Sequence, residues 1–365
     1  MEAYWIPIRT ALAVFPLLAA FLTFPYMIVQ YRRYGAIPLL RTVILYSFLL
    51  YLLCMYFLVI LPLPPVDEVA RQTGPSVQLL PFQFVRDFLR ETKLDIMNPG
   101  TYLTALTQNC FLQVICNIFM FLPFGIYLRY YFRCGLVKTI WISLLVSLFF
   151  EFTQLSGLYG IYPRGYRLFD VDDLMLNTWG GMLGYAAAPL LLRLLPSREQ
   201  LDQNAYLKGR IVTCCRRFAA FLLDWLLIGI LLILCMIAVP LLIPALVVVP
   251  GFVYAFVIAG YFILIPWATD GYTPGKWVCR IRITGRNERK PALYQYALRS
   301  GLLYFVLIPL PIIWFCGYIF DVCTGYREKP RLLLHERISR TECVSTVGAI
   351  SKQKQKNEKI WLLPA

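Results

Sequence analysis

The sequence predicts an all-α polytopic membrane protein with about seven or eight transmembrane helices. Hydrophobic residues make up 59% of the 365 residues and charged residues only 15%, and the mean hydropathy is +0.64. Soluble domains are about 45–50% apolar and about 25% charged. The apolar residues also form runs close to the roughly 20 residues that a helix needs to cross a bilayer. Basic residues cluster in the short segments between these runs, as the positive-inside rule expects.

We expect eight apolar runs, five in a first domain and three in a second. They cover 11–30, 39–61, 111–128, 137–156, 174–195, 218–239, 245–268 and 301–323. The last run contains Pro309 and Pro311, and two prolines at its centre break a helix. We therefore favour a re-entrant hairpin over a simple eighth span. In the third run, Pro123 and Gly125 predict a kinked helix.

Polarity divides the chain into a transmembrane domain at 1–195, a cytoplasmic linker at 196–212, a second transmembrane domain at 213–348 and a basic cytoplasmic tail at 349–365. The net charge is +15. Its distribution over short loops predicts contact with membrane lipids, and nucleic acid is not an expected partner. We expect a multi-pass plasma-membrane protein with its N-terminus outside, its C-terminus cytoplasmic and external loops at 62–110 and 157–173. The oligomeric state stays open.

Residues 82–96 of the first external loop alternate charged and apolar side chains. The pattern predicts an amphipathic helix that lies on the outer membrane surface with its apolar face down. A helix packed against the rest of the domain fits the same pattern.

Polar residues recur at helical spacing inside otherwise apolar sequence around the fourth and fifth runs. Ionisable groups at membrane depth cost several kcal/mol, so they mark functional candidates. Residues three or four apart share a helix face, which predicts that the set converges on one outward-facing pocket. The candidate ligand-binding residues are Glu151, Gln154, Arg167, Asp170, Asp172, Asp173 and Asn177.

Three interpretations of this cluster are open. Arg167, alone or with Arg164, could pair with the carboxylates as a structural lock. A cationic headgroup or a divalent cation could sit among them, with oxygen ligands from Glu151, Asp170 and Asp173. Third, one carboxylate could stay protonated and work as an acid or proton carrier, for example in a hydrolytic centre. No resident cofactor is expected, and no catalytic residue is assigned, because Ser147 has no partner histidine.

Several motifs in the first domain carry a resemblance to a known family. They are Leu80-Pro81-Phe82, Asn117 with Leu122-Pro123-Phe124-Gly125, Glu151-x-x-Gln154, and Arg167-x-x-Asp170-x-Asp172-Asp173-x-x-x-Asn177-x-x-Gly180-x-x-x-Gly184-Tyr185. Over about residues 40–192 the chain resembles the VanZ-like family. The resemblance implies a cell-envelope role in Gram-positive bacteria and a link to resistance against teicoplanin-type lipoglycopeptides. A lipid-linked envelope precursor or a lipoglycopeptide is then an expected partner.

The second domain has its own charged residues. Asp224 lies two turns after Arg217 on the same face, at roughly 10 Å of rise, so it needs a partner from another helix, and Arg299 is a candidate. Residues 278–284 alternate and predict a short strand. With Lys276 and Glu336, these residues resemble an RDD domain over about 210–348. Glu336 stands where that family's second aspartate is expected.

Three functions follow from these patterns. The first is a non-enzymatic envelope protein that binds a lipid headgroup or precursor in the outward pocket and alters glycopeptide access. The second is a transporter or ion-coupled carrier, based on Asp224 with Arg299 and on the broken last run. The third is a metal-dependent membrane hydrolase that uses the aspartate cluster.

Overall fold

The structure is a computed structural model that describes residues 2–92, 94, 97–193, 195–242, 250–307 and 333–347. It divides into two compact units. The first comprises the residues up to Ala20 and Leu40–Gln200, and the second comprises Phe21–Leu39 and the residues from Leu201 onward.

Helices account for most of the described residues. Up to residue 208 they are α1 (Glu2–Tyr34), α2 (Leu39–Ile60), α3 (Val66–Arg71), α4 (Gln83–Glu91), α5 (Tyr102–Leu106), α6 (Asn109–Tyr130), α7 (Leu136–Leu155), α8 (Gly157–Gly160), α9 (Val171–Leu192) and α10 (Arg198–Lys208). Beyond it they are α11 (Cys214–Leu242), α12 (Pro250–Ala259), α13 (Ile265–Ala268), α14 (Pro274–Val278), α15 (Leu293–Ser300) and α16 (Leu334–Ser339). Two π-helices cover Gly260–Leu264 and Gly301–Leu307, and two 3₁₀ turns cover Pro99–Thr101 and Arg286–Glu288.

Six helical stretches in the described part of the chain are long and apolar enough to cross a membrane. They are Trp5–Tyr34, Leu39–Ile60, Asn109–Tyr130, Leu136–Leu155, Cys214–Ala238 and Gly251–Ala268. The prediction of an all-α polytopic membrane protein is confirmed. The predicted fifth run forms α9, which carries acidic residues in its first turn. The predicted hairpin at 300–323 begins as the π-helix Gly301–Leu307, and its remainder lies outside the described residues.

Close packing of α6 against α9 organises the first unit. A Cβ added to Gly180 or Gly184 would overlap the backbone carbonyls of Ile118 and Leu122, so only glycine permits this approach. Helix α6 continues through Pro123. The buried core beside this contact consists of Met55, Phe121, Phe124, Leu128 and Phe150.

A parallel two-stranded sheet, with two residues in each strand, joins the loop between α2 and α4 to the start of α9. Strand β1 (Val77–Gln78) pairs with β2 (Phe169–Asp170), with Gln78 opposite Asp170. The loop between α2 and α4 is therefore held directly beside the acidic residues.

The second unit contains the strand that the sequence predicted, shifted to β3 (Ile281–Gly285). It pairs antiparallel with β4 (Thr341–Ser345). Ile281 and Cys343 face a core that also includes Tyr31, Ala219 and Ala220. A second core of this unit consists of Ile228, Val257, Ile258, Tyr261, Phe262, Leu303 and Tyr304.

Candidate functional site

Three carboxylates converge in the first unit. Glu151 is buried near the end of α7, and its Oε2 accepts a hydrogen bond of 2.9 Å from the backbone amide of Asp170. The carboxylates of Asp170 and Asp173 lie close enough to Glu151 to repel its charge. Burial raises the pKa of Asp170, which lies in β2. The structure therefore brings these three predicted site residues together.

Amide and hydroxyl groups line the same cluster. Asn117 Nδ2 donates to Asp173 Oδ1. Asn177 Nδ2 donates to Ser147 Oγ over 2.8 Å, and Ser147 donates to the carbonyl of Asp173 over 3.4 Å. The side-chain oxygen of Asn177 is buried and has no hydrogen-bond partner in the described part of the chain, which is unusual because buried polar atoms are normally satisfied.

Arg167 does not form the structural lock that the sequence allowed. Its guanidinium donates to the carbonyls of Val59 and Leu61, at 2.8 and 3.3 Å. Gln154 also donates to Val59, at 2.9 Å. Both side chains bind the end of α2 because its last carbonyls lack helical donors. Among the described residues, Glu151, Asp170 and Asp173 take part in none of the ion pairs.

Asp172 makes different contacts from Asp170 and Asp173. Its two carboxylate oxygens accept the backbone amides of Phe82 and Phe84, at 2.7 and 2.8 Å. These amides belong to the start of α4, so Asp172 caps this helix from outside. The predicted amphipathic segment is thus attached to α9, and Phe88 also contacts Phe111 of α6 at a ring distance of 6.0 Å.

Gln78 is a site residue that the sequence analysis missed. Its Nε2 donates to Asp170 Oδ1 over 3.1 Å, and the same oxygen accepts the amide of Asp172. The proximity of Gln78 to the Leu80-Pro81-Phe82 motif is the only signal that could have indicated it.

In the second unit, Glu336 forms a buried ion-pair network with two arginines. Its Oε2 lies 2.7 Å from Arg217 Nη1, and its Oε1 lies 3.1 Å from Arg299 Nη2. Arg299 also donates to Thr341 over 2.8 Å. Burial alone would raise the pKa of Glu336, but the two guanidinium groups outweigh it and lower the pKa to about 2. The longer side chain in place of aspartate thus reaches both arginines.

Asp224 is not paired with Arg299, contrary to the candidate assignment. It accepts hydrogen bonds from Tyr261 (2.8 Å), Thr273 (2.6 Å) and the amide of Gly275 (2.7 Å). Lys276 completes the set at 3.6 Å. A Cβ on Gly275 would overlap the Ala220 carbonyl, so glycine is needed where α14 meets α11. The transporter hypothesis loses the pair on which it partly rested.

Arg216 is a buried structural residue whose separate role the sequence did not indicate. It is fully buried and donates to the carbonyls of Cys279, Arg280 and Gly209, each at 2.7 Å. Adjacent arginines look alike in sequence, yet Arg216 binds backbone while Arg217 binds a carboxylate. Burial, followed by the charge of Arg299, lowers the pKa of His335, the residue that precedes Glu336, to about 3.

Metal ligation was one of the open interpretations of the acidic cluster. Among the described residues, no group of three or more histidine, cysteine, aspartate or glutamate side chains is placed to hold one metal ion.

These features define a multi-pass membrane protein with two helical domains, each built around buried charged residues. Residues 48–193 match the family model VanZ/LLP1, and residues 211–340 match the model of the RDD family. The chain therefore carries a VanZ-like domain followed by an RDD domain in one polypeptide. A search of curated proteins and a search of solved structures each found no match.

Proposed function

We propose that the VanZ-like domain binds the ammonium-bearing headgroup of an envelope lipid or lipid-linked precursor at the site formed by Glu151, Asp170 and Asp173. The observation that carries this proposal is that the three carboxylates converge without an ion-paired cation in the described part of the chain. Arg167 lies close enough to Glu151 and Asp173 to offset part of their charge, without forming an ion pair with either. Buried carboxylates that lack an ion-paired cation are costly. A cationic ligand would remove that cost and gain charge-assisted hydrogen bonds.

Hydrogen-bond chemistry supports the same class of ligand. The site offers carboxylate oxygens and the unpartnered oxygen of Asn177, so it has more acceptors than donors. An alkylammonium brings three donors. It also needs no rigid set of oxygen ligands around one point, unlike a bare divalent ion.

The surface of α4 supports a membrane-bound ligand. Val85 and Leu89 lie one turn apart on the same face and are 42% and 69% exposed. Leu80 and Phe82, just before the helix, are 60% and 51% exposed. Because Asp172 caps α4, this apolar face is attached next to the acidic site. A lipid could place its acyl chains against the face and its headgroup at the carboxylates.

Binding at this site would change how a lipoglycopeptide meets its membrane target. We therefore extend the proposal to resistance against teicoplanin-type lipoglycopeptides. The support is the VanZ/LLP1 match over residues 48–193. The extension includes the proposal that the protein lies in the plasma membrane of a Gram-positive cell, with the acidic site and the N-terminus facing outward.

The test compares Glu151→Gln and Asp173→Asn with the matched controls Glu68→Gln and Asp67→Asn on α3, whose side chains are exposed. Purified full-length protein is titrated with vesicles of phosphatidylethanolamine and, separately, of phosphatidylglycerol. We expect about tenfold weaker binding to phosphatidylethanolamine in each site variant, which is the loss of one charge-assisted contact. The controls should bind like the wild type.

The same four variants are expressed in a teicoplanin-sensitive host at equal protein levels. The site variants should lose any protection that the wild type gives, and the controls should retain it. Unchanged phosphatidylethanolamine binding in both site variants would contradict the binding proposal. Protection that survives both substitutions would contradict the extension to resistance.

A further inference from the structure

The RDD domain contains a cavity of about 50 Å³ whose lining includes three basic residues, Arg217, Lys276 and Arg299. They come from α11, α14 and α15. Apolar side chains, among them Phe221 and Leu303, form much of the remaining wall. A buried water needs roughly 10–15 Å³ of such space, so the cavity has room for a small polyatomic ion.

The charges around this cavity do not cancel. Glu336 is shared between Arg217 and Arg299. Asp224 faces Lys276, but at 3.6 Å, whereas its three hydrogen bonds measure 2.6 to 2.8 Å. Three basic side chains thus meet two carboxylates, which leaves one positive charge. His335 also lines the cavity and stays neutral at physiological pH, because burial lowers its pKa to about 3.

Unused donors accompany this extra charge. Nε of Arg217 is buried and has no hydrogen-bond partner among the described residues. The Lys276 ammonium has three donors, and Thr273 is a hydrogen-bond partner of only one of them, at 3.3 Å. A buried N–H of a charged group without a partner costs free energy, and an oxyanion in the cavity would satisfy it.

The backbone around the cavity is also unusual. Two π-helices, Gly260–Leu264 and Gly301–Leu307, supply Phe262 and Tyr304, whose rings stack with centroids 3.8 Å apart. Tyr304 lines the cavity, and Lys276 Nζ lies 5.6 Å from the ring of Phe262. Short π-helical segments are rare and occur frequently at functional sites.

We propose that this cavity binds a phosphate group, with Lys276 and the Nε of Arg217 as the donors that contact its oxygens. The group is either free inorganic phosphate or the phosphomonoester headgroup of a lipid, because both present the same oxygens. This site is separate from the acidic site of the VanZ-like domain and does not depend on it.

The experiment uses full-length protein in nanodiscs of phosphatidylcholine. One arm titrates inorganic phosphate by calorimetry. The other replaces part of the lipid with phosphatidic acid, omits free phosphate, and measures retained lipid by native mass spectrometry. The test variant is Lys276→Gln, and the matched control is Lys290→Gln, an exposed lysine of the same domain that pairs with Asp270 at 2.9 Å.

We expect Lys276→Gln to weaken binding about tenfold, Lys276→Arg to restore most of it, and Lys290→Gln to bind like the wild type. Binding in the first arm identifies free phosphate, and retention in the second identifies a lipid headgroup. A second variant, Cys343→Leu, fills the cavity without changing its charge and should also abolish binding. It keeps the proposal testable if Lys276→Gln folds poorly. Absence of binding in both arms, or equal binding by wild type and both cavity variants, would overturn the proposal.

Discussion

In the VanZ-like domain Glu151, Asp170 and Asp173 share a site without an ion-paired cation among the described residues, whereas Asp224 and Glu336 of the RDD domain each have a basic partner. The two domains therefore differ in the charge that a ligand could bring to each site. A cation would supply what the first site lacks. In the RDD domain both carboxylates already have basic partners, so only the surplus positive charge is available to bind a ligand. Removing a paired carboxylate should consequently damage the fold more than removing an unpaired one.

The largest expected effect comes from Glu336→Gln. The substitution leaves Arg217 and Arg299 buried without their carboxylate, and breaking a buried ion pair costs about 3–5 kcal/mol. We expect a correspondingly lower thermal unfolding temperature for the RDD domain in detergent. Glu288→Gln, at an exposed glutamate of the same domain, serves as control. Equal unfolding temperatures for the two variants would show that the network contributes little to stability.

A second, smaller effect on the stability of the folded protein should appear when the pH is lowered, because of His335. Its ordinary pKa is 6.5, and in the folded protein it is about 3. Below pH 6.5 the unfolded chain therefore takes up a proton that the folded chain does not. Neutral His335 makes its full contribution to the free energy of unfolding above pH 6.5, and this contribution is lost as the pH falls toward 3. At pH 5 the free energy of unfolding is lower by about 2 kcal/mol.

The chain has one histidine, so His335→Gln isolates this effect. Unfolding by denaturant is measured between pH 5 and pH 7.5 in both proteins. The wild type should lose stability across this range, and the difference between wild type and variant should change with pH. A constant difference would mean that His335 has the same pKa in the folded and the unfolded protein.

The smallest effect is local and concerns Asp172→Asn. Asparagine retains one acceptor oxygen, so one of the two bonds to the amides of Phe82 and Phe84 is lost. The expected cost is about 1 kcal/mol. Hydrogen exchange should accelerate over residues 82–91 and remain unchanged in α6. Asp67→Asn is the matched control, and uniform acceleration over the whole first unit would contradict a capping role.

The sequence allowed most of the fold to be predicted, because burial in a membrane requires long apolar runs that are visible directly. Helical spacing placed Asp173 and Asn177 on one face of α9, and in the structure Ser147 contacts both residues. What failed was the choice of partner over long separations. Asp172 and Asp173 are neighbours of the same type, and periodicity cannot show that one caps a helix 88 residues away. For the same reason, Arg299 was the wrong candidate for the partner of Asp224. The pattern of charges along the sequence does not indicate which helix ends meet in space.

The pairing of Gln78 with Asp170 has a consequence for how the protein is made. The two residues are 92 positions apart, and the chain between them includes the membrane helices α6 and α7. Both helices must be inserted before β1 can meet β2, and loop closure over such a separation is slow. The acidic site is therefore completed late in biogenesis. A chain arrested before the insertion of α7 would contain α1, α2 and α6 but not the completed acidic site.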